Sequence, residues 1–343
     1  AQRLTSLSTG VSDVKFSVDG SRIIFSSRVF PKAFNDSASK KMADEKKKIK
    51  TKARVYQSFP VRYWDSWLDE KQGHIFVMDL KSGAQPLNLM ANVSLVNSLG
   101  FRLGSYNFGP DGKSVLFTAT TEYNTTAYQS AKSNIYSVSV SGGKETILVN
   151  DETDYSTAEY TEDGKYLVAT GSAIGNKLYY LNRMYRFDAL SRSAKKELAV
   201  TLDRPINDME LAGSSVFASI EDQGIDRIVE ISVADGSVKP VLGAETGSYT
   251  GLSLSAKPSV FAYYYQSIFS PPEVWVSSGG IVKAISKAND AVLAGLDLQK
   301  PEVIWTKTSR GKNIRSVVLK PTGFDASKKY PLFVLMHGGP ASS

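Results

Sequence analysis

Cysteine is absent from the 343 residues. Its absence excludes disulfides, thiol catalysis and thiolate metal sites, without fixing a compartment. Imidazole is nearly absent too, with only His74 and His337, so a histidine-rich metal centre is not expected and no cofactor is implied. No run approaches the roughly 20 apolar residues that a membrane-crossing helix needs, and no membrane span is expected. The chain opens on polar Ala1-Gln2-Arg3 rather than a basic-then-apolar leader; a leader could have been removed or lie upstream. Charge is present but unevenly spread. The formal net charge is +7, yet nine Lys/Arg against three acids fall within residues 32–54. Outside that stretch the chain is nearly neutral, so no nucleic-acid partner is expected.

What the sequence has is internal repetition, the first thing to seek in a chain of this length. Five segments share an alternating strand, a tight polar turn that is often Asp-Gly, and a second strand: Asp13–Ser27, Tyr106–Thr120, Ala158–Ser172, Asp208–Glu221 and Leu252–Gln266. Asp-Gly between such runs signals a hairpin, because glycine accepts positive φ. The last two segments lack Asp-Gly and rest on alternation and position. A second hairpin follows each, turning at Ser82-Gly83, Ser141-Gly142-Gly143, around Leu190–Ser193, at Asp235-Gly236 and at Gly279-Gly280. Two hairpins make a four-stranded sheet, one blade of a β-propeller. The anchors Phe16, Phe108, Tyr160, Glu210 and Leu254 lie 92, 52, 50 and 44 residues apart. Removing the 45 residues 29–73 brings the first gap to 47, so five blades with one insertion are predicted. Gln2–Thr5 reads as the closing strand of an earlier blade.

The insertion has two parts. Lys41/Glu45 and Asp44/Lys48 are i,i+4 pairs, which predict a surface helix within 38–54. Aromatics and carboxylates then concentrate in Val55–Glu70, outside the repeat. One reading is a flap packed on a blade. The other is that Trp64 and Trp67, with a carboxylate such as Asp65 or Glu70, line a substrate cavity; Asp69 is a further candidate. An unpaired buried carboxylate is costly, so a cavity acid would imply a cationic ligand. His74 opens a strand and reads as a blade residue.

Past Asn289 the repeat fades through a linking segment, Leu293–Leu298. Alternating strands over Glu302–Thr308 and Asn313–Lys320 then flank Ser309–Lys312. The apolar run Pro331–Met336 reads as a strand buried on both faces, and it ends in His337-Gly338-Gly339-Pro340. Glycines there let the backbone turn sharply and aim N–H groups outward, as in an α/β-hydrolase oxyanion hole.

These residues resemble the prolyl oligopeptidase family of serine peptidases, in its acylaminoacyl-peptidase and dipeptidyl-peptidase V branch. The likeness rests on Gly10–Phe30 with Ala53–Trp67, on Ser270-Pro271-Pro272-Glu273-Val274-Trp275, on Lys320–Asp325, and on Lys328–Pro340. It implies an all-β fold: a β-propeller over residues 1–295 with the insertion at 29–73, followed over 296–343 by the first strands of an α/β-hydrolase domain. Five blades are visible and seven are expected in the intact protein. The resemblance further implies a Ser-Asp-His triad beyond residue 343, since no Gly-x-Ser-x-Gly occurs here and no triad member can be assigned. His337 is not the base, because triad order puts that histidine last. Backbone at Gly338 or Gly339 is implied as an oxyanion donor. The expected activity is release of dipeptides or acylated residues from short peptides, with the propeller gating access. A homodimer through the hydrolase domain and a periplasmic or secreted location, or else a cytoplasmic one, complete the expectation. A non-catalytic TolB-like binding platform and an esterase are the alternatives.

Overall fold

A computed structural model of the chain describes residues 3–51, 53–177, 179–243, 246–255 and 260–336. It shows five antiparallel four-stranded blades and a two-stranded ribbon. Blade one is β1 (Ser12–Phe16), β2 (Arg22–Val29), β5 (Gln72–Asp79) and β6 (Leu87–Asn88); the insertion between β2 and β5 holds α1 (Asp36–Lys48) and the short β3 (Arg62–Tyr63) and β4 (Ser66–Trp67). Blade two is β7 (Arg102–Phe108), β8 (Ser114–Thr120), β9 (Asn134–Ser139) and β10 (Thr146–Val149). Blade three is β11 (Thr153–Tyr160), β12 (Tyr166–Ala173), β13 (Arg183–Asp188) and β14 (Lys196–Leu198). Blade four is β15 (Ile206–Ala212), β16 (Ser215–Asp222), β17 (Ile225–Ser232) and β18 (Val238–Leu242). Blade five is β19 (Gly247–Leu254), β20 (Val260–Ser267), β21 (Ser270–Ser278) and β22 (Ile281–Ala284). After α2 (Asp290–Leu293), the ribbon pairs β23 (Glu302–Lys307) with β24 (Asn313–Val318). The five-blade expectation is borne out. By internal contacts the chain forms two compact units, Ala1–Glu197 and Leu198–Ser343.

The Asp-Gly turns form as their chemistry dictates. Asp19 accepts from Ser17 Oγ at 2.6 Å and from Ser21 N at 3.0 Å. Asp163 does the same with Thr161 Oγ1 at 2.7 Å and Lys165 N at 3.1 Å. In each case the glycine that follows sits at φ 67, a region costly to a residue with a Cβ.

The second strands run apolar almost without alternation because both of their faces are covered. In blade one, Ile24 joins a cluster with Phe101, Val115 and Phe117 of blade two. Its neighbours Ile23 and Phe25 instead join Phe76 and Met78. Leu116 likewise turns away from Phe117 to pack with Leu148, Tyr155 and Leu167. In the second unit, Phe217 and Ile228 meet Phe261 and Tyr263. Each such side chain, fully buried, contributes about 1.5–3 kcal/mol of transfer free energy.

Every first strand carries a bulge against its partner, and in the middle three blades a buried hydroxyl of the second strand supports it. Thr118 Oγ1 accepts from Ser105 N at 3.0 Å, and Ser219 Oγ accepts from Asp208 N at 3.2 Å. Thr170 Oγ1 lies 2.9 Å from Ser156 Oγ. A bulge leaves a ladder N–H unpaired; the Thr118 and Ser219 hydroxyls satisfy it, while Thr170 bonds the side-chain hydroxyls of Ser156 and Thr157.

Two sequence expectations fail locally. Arg3–Thr5 forms no strand. Pro331–Met336 is neither strand nor buried: Leu332 is 82% exposed and Leu335 94%. Apolar sequence alone does not make a strand. It needs a ladder partner for its N–H and C=O groups, and none of the described residues pairs with this run.

Candidate functional site

The insertion is built as a cassette whose ends are cross-strand neighbours, Val29 pairing with Gln72. Its helix starts at Asn35, whose side chain accepts from Ala38 N at 2.8 Å, and carries Lys46, Lys47 and Lys48 in its last turn. Both features satisfy the helix ends, cap at one and cation at the other. Asp36 in the first turn accepts from Ser8 N and Ser8 Oγ, each at 2.7 Å, which fastens the helix to the segment before blade one. Phe34 stacks on His74 with ring centroids 6.0 Å apart.

His74 is fully buried, as its reading as a blade residue requires. Asn88 Oδ1 accepts from Met90 N at 2.9 Å, which turns the Asn88 amide nitrogen to His74 Nδ1 at 3.1 Å. Nδ1 therefore accepts, and the ring is neutral with its proton on Nε2. Nε2 has no hydrogen-bond partner among the described residues. Burial pushes the pKa of His74 down to about 4.

The aromatic stretch forms the hairpin β3–β4, extended by the bond from Leu68 N to Val61 O at 3.1 Å. Trp64 and Asp65 occupy its turn. Trp64 has φ 52 and is 87% exposed, a backbone region that a bulky residue enters at a cost. Arg62 Nε donates to Trp64 O at 3.0 Å and holds the turn. Trp67 stacks on Tyr56 at 6.2 Å, beneath the Arg62 guanidinium at 5.9 Å, and Tyr56 OH donates to Leu68 O at 3.0 Å.

The structure thus brings Trp64, Asp65 and Trp67 onto one exposed hairpin and assigns the other carboxylates elsewhere. Glu70 pairs with Lys46 of α1. Asp69 takes Arg28 at 2.6 Å, while Asp65 accepts only from the adjacent Ser66 Oγ at 3.1 Å among the described residues. Among the described residues the tryptophans of the hairpin are exposed, Trp64 at 87% and Trp67 at 53%. Gly338 and Gly339 lie outside the described residues.

Sequence reading missed two further features, both in the second unit. A cavity of about 290 Å³ is lined by Gly224, Ser248, Gln266, Ser267, Arg315 and Val317 among others. There Arg315 of the ribbon donates to Gln223 O at 3.0 Å. The turn Gln223-Gly224 holds the same place in blade four, between second and third strands, that the insertion holds in blade one. The other feature is the set of bonds made by Glu273; its signal was visible as Pro-Pro-Glu, but no spacing rule marks its partners.

No family model matches the chain. A probable dipeptidyl-peptidase 5 of Aspergillus terreus is 29% identical over 99% of this chain and 49% of its own length. The dipeptidyl-peptidase 5 of Porphyromonas endodontalis is 23% identical over 100% of this chain and 49% of its own. The chain therefore spans about half the length of the curated relatives it matches. Among solved structures, an acylaminoacyl peptidase in complex with Z-Gly-Gly-Phe-chloromethyl ketone superposes with a TM-score of 0.66 at 12% identity, over 94% of this chain and 45% of that one. A putative TolB from Agrobacterium tumefaciens gives 0.52 at 14% identity over 81% of each chain. The fold class is that of a β-propeller, as in the acylaminoacyl peptidase and TolB structures. The relatives by sequence are the proteins named dipeptidyl-peptidase 5, and the resemblance read from the sequence is borne out.

Proposed function

We propose that this chain is the propeller part of a serine exopeptidase that removes dipeptides or acylated residues from short peptides, its Ser-Asp-His triad lying on a following hydrolase domain. One observation carries the reading: relatives named dipeptidyl-peptidase 5 align over essentially the whole chain, insertion and ribbon included. The propeller gates access by size. The β3–β4 hairpin offers the substrate the Trp64 face with the Asp65 carboxylate beside it, a combination suited to a peptide's cationic amino end, while Trp67, stacked on Tyr56 beneath Arg62, supports the hairpin. Glu70 acts instead as a strut to α1. Gly338 and Gly339 would supply oxyanion-stabilising N–H groups, each such donor typically worth roughly 3–4 kcal/mol of barrier. A periplasmic or secreted location and pairing of two copies through the hydrolase part belong to the same proposal, and fractionation and native mass measurement address them.

The test uses the intact protein with aminoacyl-dipeptide, acylaminoacyl and simple ester reporters. Hydrolysis of a peptide reporter is expected, and Trp64→Ala and Asp65→Asn should raise KM on the order of tenfold, about 1.4 kcal/mol. Cleavage of esters alone would make the protein an esterase. No hydrolysis of any reporter would favour a binding platform, a reading to which the TolB likeness of the fold lends some support.

A further inference from the structure

The chain leaves blade five beneath a single carboxylate. Glu273, on β21, accepts from Ser286 Oγ, from Ala288 N at 3.2 Å, from Asn289 N at 2.9 Å and from Asn289 Nδ2 at 2.9 Å. The adjoining backbone completes the set. Ile285 N donates to Val274 O at 2.8 Å, Val274 N to Ser286 Oγ at 2.8 Å, and Asn289 Nδ2 reaches Pro272 O at 3.4 Å. Residues 285–289 belong to no strand or helix, so these bonds take the place of a ladder. Directly beyond them come α2 and an exposed segment with Val292 at 68%, Leu296 at 54% and Leu298 at 44% exposure. The two sides of Asn289 therefore differ in kind: stitched before it, little covered after it.

We infer that Glu273 is a positioning residue, a clasp that fixes the point at which the linker to the ribbon begins to hinge. A carboxylate suits this task because its two oxygens offer about four lone-pair sites to donors arriving from different directions, and charge-assisted bonds are the stronger kind. The carboxyl is held down to about 2, with the Ser286 hydroxyl the largest cause and the Asn289 amide next, so the clasp stays ionised at any physiological pH. Its neutral isostere is a direct probe: Glu273→Gln keeps the shape but sets an NH2 group against N–H donors. Resting on the peptidase reading, the clasp has a specificity role as well. If whatever follows the linker closes over the propeller, the hinge point governs how far it opens, and hence the length of peptide admitted.

Amide hydrogen exchange on the intact protein is the test. In Glu273→Gln, the amides of Ala288, Asn289 and α2 should exchange at least tenfold faster, with β15–β17 unchanged. Asn289→Ala removes one arm, leaves the backbone bonds and should give a smaller acceleration at the same sites. Rates within twofold of the parent in both variants, or acceleration spread evenly through blade five, would overturn the clasp. In the same variants the ratio of kcat/KM for a long peptide over a short one should rise severalfold at unchanged melting temperature, a result that general loosening would not give. A parent that hydrolyses neither peptide would refute the peptidase reading while the exchange result still stood.

Discussion

Replacing His74 by Gln should remove most of the chain's mild-acid sensitivity. The ring is neutral when folded, and its pKa is about 4 there against about 6.5 in an unfolded chain. Its contribution is therefore complete above pH 6.5 and is lost as pH falls towards 4, because the unfolded chain takes up the proton first. Between pH 7.5 and 4.5 the loss is about 2.5 kcal/mol, since each pH step of one between the two pKa values removes about 1.4 kcal/mol. Most carboxylates whose bonds lower their pKa, such as Asp19 and Asp163 at about 2, act in a more acidic window. Gln at position 74 still offers an oxygen to the Asn88 amide, and the substitution should cost about 1–2 kcal/mol at pH 7.5. Urea unfolding of both proteins at half-unit pH steps measures the effect: wild type should lose about 2.5 kcal/mol more than the variant over that range. Parallel curves would refute the buried neutral ring.

Three further outcomes rest on local geometry. Gly100→Ala should destabilise by about 2–3 kcal/mol, read as a lowered urea midpoint, because its Cβ would strike the Thr121 carbonyl and the Asn124 side chain. Trp64→Gly should raise the melting temperature, since glycine enters the region at φ 52 without strain, by about 1 kcal/mol; the same change should weaken peptide binding, and an unchanged or lower melting temperature would argue against strain at the turn. Lys195 lies 2.8 Å from Asp151 and 2.6 Å from Thr153 Oγ1, with the Tyr185 ring centroid 4.2 Å from its Nζ. As both charges are about one-third exposed, Lys195→Met should cost only about 1 kcal/mol in unfolding free energy.

The blades were legible because their signal is local. Asp19-Gly20, Asp111-Gly112 and Asp163-Gly164 mark hairpins by turn chemistry alone, and blades four and five followed from spacing where that chemistry was missing. The ribbon at 302–307 and 313–318 was placed to within two residues. Pairings across the insertion were not legible. Nothing in the sequence says that Glu70 meets Lys46 or that Asp69 meets Arg28, because those contacts depend on how the helix folds back. Trp64 and Trp67 looked like the lining of a cavity from composition. That they stand on a hairpin turned at the positive φ of Trp64 was not legible, because no propensity for Trp suggests it. Pro331–Met336 shows the converse, a strand sequence whose structure depends on a partner strand.

The pairing of Val29 with Gln72 also bears on how such a domain changes over time. Asp222 and Ile225 are cross-strand neighbours in the same way and are joined by only Gln223-Gly224. The forty-odd residues between Val29 and Gln72 could therefore be traded for a dipeptide without disturbing a rung of the ladder. The hairpin's exposed tryptophans ride on a module set between two ladder neighbours, free to diverge while the blade that carries it stays under the constraints of its core.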